Sequence, residues 1–98
     1  MTSDDRFQAV LNALDDDTCR EILCAIEDCA LTAAEVASVC NLPQSTAYRK
    51  LDLLAASPLV EERTRIRSDG KHASEYARTA SGVYIELDDC EFDLTVTE

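Results

Sequence analysis

NLPQSTAYRKLDLL, residues 41–54, is the stretch on which the fold turns. Asn41 stands where a tight turn needs a residue tolerant of positive φ, a backbone state that glycine and asparagine accept most readily. Leu42 can plug the angle between two helices. Pro43 suits the start of the next helix, with Gln44, Ser45 and Thr46 in its first turn. Ala47, Leu51 and Leu54 recur at helical spacing and form its buried stripe, with Leu53 beside it. Upstream, Thr32 is followed three residues later by Glu35, the pattern of a capping box, so a short helix starts there. Val36, Ala37 and Cys40 give that helix an inner face, and Ala37 must be small because the two helices cross closely. The reading is a helix, a turn of three or four residues and a second helix.

Working downstream, Ser57-Pro58 ends the second helix, and LVEERTRIRSDGKHASEY, residues 59–76, changes the period from helical to alternating. Thr64 and Ile66 fall on one face of a strand, and Arg63, Arg65 and Arg67 on the other. Residues 68–71 form a turn around Asp69-Gly70, a strong hairpin dipeptide, and residues 73–79 return as the partner strand with Tyr76 facing the core. Helix, turn, helix and hairpin in this order predict an α+β winged helix-turn-helix, with about four helices and a two- or three-stranded β-wing.

Upstream, residues 5–14 place Phe7, Val10, Leu11 and Leu14 at helical spacing, with Asp4 or Asp5 as a cap. The triplet Asp15-Asp16-Asp17 breaks this helix and caps another over residues 17–28, whose inner face holds Ile22, Leu23 and Ile26, with Cys19 nearby. After Gly82 the chain alternates again, with Val83, Ile85 and Leu87, then Phe92, Leu94 and Val96, around a turn at residues 88–91. A lone hairpin is marginal in water, so this tail must pack either on the first helix or on a second subunit. The expected organisation is a winged helix-turn-helix over residues 1–80 and an extra C-terminal β segment over residues 81–98.

Charge is unevenly spread. The 98-residue chain carries 20 acidic and 9 basic residues, a formal charge of -11, which sits poorly with binding a polyanion. Yet residues 41–80 hold seven of the bases (Arg49, Lys50, Arg63, Arg65, Arg67, Lys71 and Arg78) against five acids, a local balance of +2. The other 58 residues hold fifteen acids and two bases. Lysine is scarce, and carboxylates keep a surface hydrated while their repulsion is screened within ~3 Å at 1 M salt. We read this as adaptation to molar salt, against the plainer alternative of an acidic cytosolic protein. No apolar run approaches the ~20 residues of a membrane span. The opening MTSDDRF lacks the regions of a signal peptide, so a soluble, cytoplasmic protein is expected.

The capping box, VASVCNLPQSTAYRKLDLL, LVEERTRIR and SDGKHASEY together resemble the winged helix-turn-helix regulators of the ArsR-like superfamily, in the small haloarchaeal form. The likeness covers roughly residues 5–79. It implies a homodimer on double-stranded operator DNA, each subunit placing one helix, residues 44–56, in a major groove and a wing, residues 63–78, on the backbone or minor groove. Members that sense metals carry paired cysteines in the helix before the turn, where this chain has only Cys40. Many members also end in a dimerising helix, where this tail reads as strand.

Within that reading Gln44, Ser45 and Thr46 open the reading helix, where they can bond phosphates or base edges. Tyr48 and Arg49 lie on its outward face, Arg49 as a guanine contact or phosphate clamp, and Lys50 as a phosphate contact. Arg63, Arg65 and Arg67, with Lys71 and His72 near the wing tip, would grip phosphates or enter the minor groove. The plainer alternatives are that Ser45 and Thr46 only cap, Tyr48 only packs and the arginines only solubilise.

No cofactor or metal site is expected. Cys19, Cys24 and Cys29 recur every five residues, about 140° apart around a helix, which is poor geometry for one metal ion. The fifth cysteine, Cys90, falls in an acidic turn that blunts thiol reactivity. Core packing or incidental exposure is the expected role of all five, with redox sensing as the alternative. One histidine and two glycines leave little material for a catalytic triad or a phosphate-cradling loop, so an enzyme is not expected. The competing class is a protein-interaction module that keeps the fold without DNA and meets another regulator or the basal transcription machinery through its acidic faces.

Overall fold

The computed structural model describes residues 2–89 and 91–98, with side chains from residue 5 onward; the expectation for Cys90 lies outside those described residues. Helix α1 spans Thr2–Leu14 and buries Val10 and Ala13. It begins before both Asp4 and Asp5, which therefore lie inside the helix instead of capping it. Asp16 caps α2 (Asp17–Ala25), accepting the Cys19 N–H at 2.9 Å. Cys19, Ile22 and Ile26 are buried, with Leu23 packed at the edge of the core. The helix stops short of the expected Asp28, because Glu27 and Asp28 would oppose the negative end of its dipole. Cys29 consequently lies beyond α2, so helical spacing does not describe it.

A two-residue strand follows, β1 (Leu31–Thr32), and then α3 (Ala33–Cys40). The capping box is complete. Glu35 N–H donates to Thr32 Oγ1 at 3.2 Å, and Thr32 N–H donates to Glu35 Oε1 at 2.8 Å. Asn41 ends α3 with φ 56 and ψ 53, the left-handed state expected of it, while Leu42 N–H donates to Ala37 O at 2.8 Å. Asn41→Gly is expected to leave stability equal or slightly raised. Asn41→Ala should lower it by about 1 kcal/mol, since a Cβ without a local hydrogen-bonding group is strained there. Urea unfolding of the pair checks this.

Helix α4 (Gln44–Ala55) buries Ala47, Leu51 and Leu54 against α1, α2 and α3. Buried Ser57 closes it, with its hydroxyl donating to Leu54 O at 2.6 Å and accepting Leu59 N–H at 3.2 Å. Strands β2 (Val60–Ile66) and β3 (His72–Arg78) then form the wing, antiparallel, with Arg63 opposite Glu75 and Arg65 opposite Ala73. Strand β1 pairs β3 on its other edge, giving the order β1-β3-β2. At the tip Gly70 takes φ 82, its N–H donates to Arg67 O at 2.9 Å, and Asp69 accepts the Lys71 N–H at 2.9 Å. Tyr76 lies in the core, whereas Ile66, near the tip, is exposed.

The tail is a second antiparallel sheet, β4 (Gly82–Asp88) and β5 (Glu91–Thr97). Its register pairs Val83 with Val96, Ile85 with Leu94 and Leu87 with Phe92, so one face is wholly apolar. Val83, Leu94 and Val96 pack against the core, and the Phe92 ring lies 6.3 Å from Phe7 of α1. The hairpin thus packs on the core of the same chain and reaches the first helix through Phe92 and Phe7. The outer pair stays open to solvent, Leu87 at 65% and Phe92 at 64%.

Candidate nucleic-acid interface

The stripe that buries Ala47, Leu51 and Leu54 fixes which side chains of α4 face outward. Gln44, Ser45, Tyr48 and Arg49 are exposed, Tyr48 at 49%, and Thr46 is half-buried. Pro43 stands at the N-cap and supplies no side-chain hydrogen bond. The first-turn amides of α4 therefore open to solvent at the positive end of the dipole, an arrangement suited to an anion.

Lys50, expected as a phosphate contact, is paired within the protein. Its ammonium pairs with the Asp16 carboxylate at the start of α2, and the two side chains are only 20% and 25% exposed. This bond, then the Cys19 amide, holds the Asp16 carboxyl below its usual range. The cap of α2 and the middle of α4 are thereby pinned together across 34 positions of sequence.

The arginine ladder also divides. Arg65 Nε donates to Glu75 Oε1 at 2.7 Å, one Nη donates to Glu35 Oε2 at 3.1 Å, and the other donates to Ala30 O at 3.1 Å. These bonds raise the Arg65 pKa, and the Arg65 bond, then the Thr32 amide, lowers that of Glu35. Arg65 thus ties the wing to the capping box of α3, and its donors are engaged within the protein. Arg63 lies 3.3 Å from Glu61 and Arg67 lies 3.9 Å from Asp69, both exposed pairs of the kind worth little in water. Lys71 and His72 are exposed near the tip.

Two surfaces of one body therefore present polar and cationic groups: the outer face of α4, and the wing with Arg63, Arg67, Lys71 and His72. Sequence reasoning missed the acidic partners Asp16, Glu35 and Glu75. Separations of 34 and 30 residues for Asp16 and Glu35 leave no periodic trace, although Glu75 is only ten residues from Arg65. A family model described as a helix-turn-helix domain matches residues 14–63, just over half of the chain. The chain belongs to this helix-turn-helix family. The match runs from the end of α1 through α4 into β2, while the wing tip and C-terminal hairpin lie beyond it. No curated protein matches the chain.

Other features bear on chemistry in this helix-turn-helix protein. Burial pushes the Cys19 thiol up to about 11 and also raises Cys40, which disfavours the reactive thiolate at both; Cys24 and Cys29 are exposed. Among the described residues, no cluster of three His, Cys, Asp or Glu could hold a metal ion, and no helix is long and apolar enough to cross a membrane.

Proposed function

We propose that this protein is a sequence-specific, DNA-binding transcription regulator without enzymatic activity. Its reading helix enters the major groove, and its wing lies on the backbone or in the minor groove. The carrying observation is the outward face of α4, where Gln44, Ser45, Tyr48 and Arg49 stand exposed beside an uncapped helix N-terminus. Ser45, Thr46 and the open amides take a phosphate, and Gln44 and Arg49 reach base edges. Arg63, Arg67, Lys71 and His72 grip the backbone, while Lys50 and Arg65 position the two contact surfaces.

The regulator acts in the cytoplasm as a homodimer of the ArsR-like, small haloarchaeal kind. The apolar end of its C-terminal hairpin, Leu87 and Phe92, supplies surface for the second subunit. High salt screens the acidic remainder, so base contacts and DNA shape carry more of the affinity than counterion release does. The same exposed pair, flanked by Glu86, Asp88, Glu91 and Asp93, favours the second reading, a protein-interaction module that keeps the fold without DNA.

Fluorescence anisotropy of labelled DNA from around its own gene, at about 0.2, 1 and 2 M KCl, separates the two. Four exposed cations on phosphate (Arg49, Arg63, Arg67 and Lys71) would by themselves give a log–log salt slope near −3.6 per subunit. The expected result is saturable, sequence-dependent binding with a shallower, flat or inverted slope. A steep loss of binding with salt would contradict the high-salt reading. Failure at every salt, with random-sequence DNA also unbound, would favour the protein-interaction module.

A further inference from the structure

At the joint between the winged body and the C-terminal hairpin lies an open cleft of about 330 Å³. Leu14, Leu23, Leu59 and Val83 make it apolar, and Arg78 and Ser81 give it a polar edge. The Arg78 side chain is 28% exposed, and its one ion pair among the described residues, to Glu27, spans 3.6 Å, longer than a good hydrogen bond. A half-buried arginine thus lines an otherwise largely apolar cleft, with guanidinium donors to spare. The volume falls in the range that small ligands occupy, and apolar walls with few directed polar groups are the usual make-up of such sites.

We propose that this cleft binds a small monocarboxylate with an aromatic or cyclic aliphatic body. The planar fork of Arg78 matches a carboxylate in two parallel hydrogen bonds, displacing the loosely held Glu27, while the body covers the leucines and Val83. Inorganic phosphate lacks the apolar part that the walls require, and an organic cation would meet the guanidinium. The cleft takes its walls from α1, α2 and the start of the wing on one side, and from the β3–β4 connection and β4 on the other. An occupant therefore bridges body and hairpin. The inference stands apart from the DNA reading, since it concerns a different surface.

Calorimetric titration of the full chain with phenylacetate, 4-phenylbutyrate and cyclohexanecarboxylate tests it, each beside its neutral primary amide. At least one acid should saturate one site per chain with Kd below about 1 mM, at least tenfold tighter than its amide. Arg78→Gln should reduce the acid to the affinity of the amide, and Arg78→Lys should restore part of the difference. Val83→Trp, filling the cleft, should remove acid and amide binding together while circular dichroism stays native. If that variant misfolds, the Arg78 pair carries the test. Absence of saturation by all three acids at about 10 mM overturns the proposal. So does equal binding of acid and amide, or an Arg78→Gln protein that binds like the parent.

Discussion

Leu51→Ala is expected to lower the unfolding free energy by about 2–5 kcal/mol, with the midpoint read by urea denaturation. Leu51 has no exposed surface and sits midway along α4, the helix that touches α1, α2, α3 and β2. Truncation removes its transfer energy and also leaves a hole, which neighbours on several elements cannot all move to fill. Total stability for a domain of this kind is about 5–15 kcal/mol, and a short chain with one core belongs at the low end. The substituted protein should therefore be largely unfolded well below the melting temperature of the parent. Apparent loss of any binding activity would follow from that alone. A change under about 1 kcal/mol would mean that α4 is not held by this core.

The elements that were readable in advance share one property: their causes are local. Thr32 and Glu35 are three residues apart, and the capping box formed as spaced. Asn41 adopts the left-handed state that its side chain tolerates, and Ala47, Leu51 and Leu54 form one buried stripe because helical period dictates it. Alternation likewise placed both hairpins to within one residue, except that β2 begins at Val60, three residues before the expected start of the wing. What escaped was short or remote. Strand β1 has only two residues, too few for any period, and exists because Leu31 and Thr32 find Tyr76 and Glu75 on β3.

The candidate interface was readable as a set of residue types but not as a set of free charges. A balance of +2 over residues 41–80 counts Lys50 and Arg65 as available. Folding engages both, since a half-buried cation is stable only beside an acid and acids are abundant in this chain. The cations that folding leaves exposed sit on the outer face of α4 and toward the wing tip, where no second layer of protein covers them. The acidic excess therefore has a structural use, in that some of it holds the reading helix and the wing in place.

Arg49→Glu is the substitution expected to do most damage to DNA binding while leaving the fold intact, with a loss of affinity of about 100-fold or more. Arg49 is exposed and makes no ion pair among the described residues, so circular dichroism and the urea midpoint should barely change. Reversal removes one favourable contact and sets a carboxylate against the phosphates at the mouth of the groove. Arg49→Gln then separates the two roles open to this side chain. If Arg49 reads a guanine, the neutral variant should lose discrimination at one operator position, by about 1–3 kcal/mol, and little elsewhere. If it clamps a phosphate, affinity should fall alike on all sequences, and the salt slope should flatten by about 0.9 per subunit. Lys50→Gln is the counter-case: with its ammonium bound to Asp16, it should weaken the α2–α4 contact more than it weakens DNA binding. Operator DNA bound by Arg49→Glu as tightly as by the parent would remove the outer face of α4 from the interface, and the reading of this protein as a DNA-binding regulator with it.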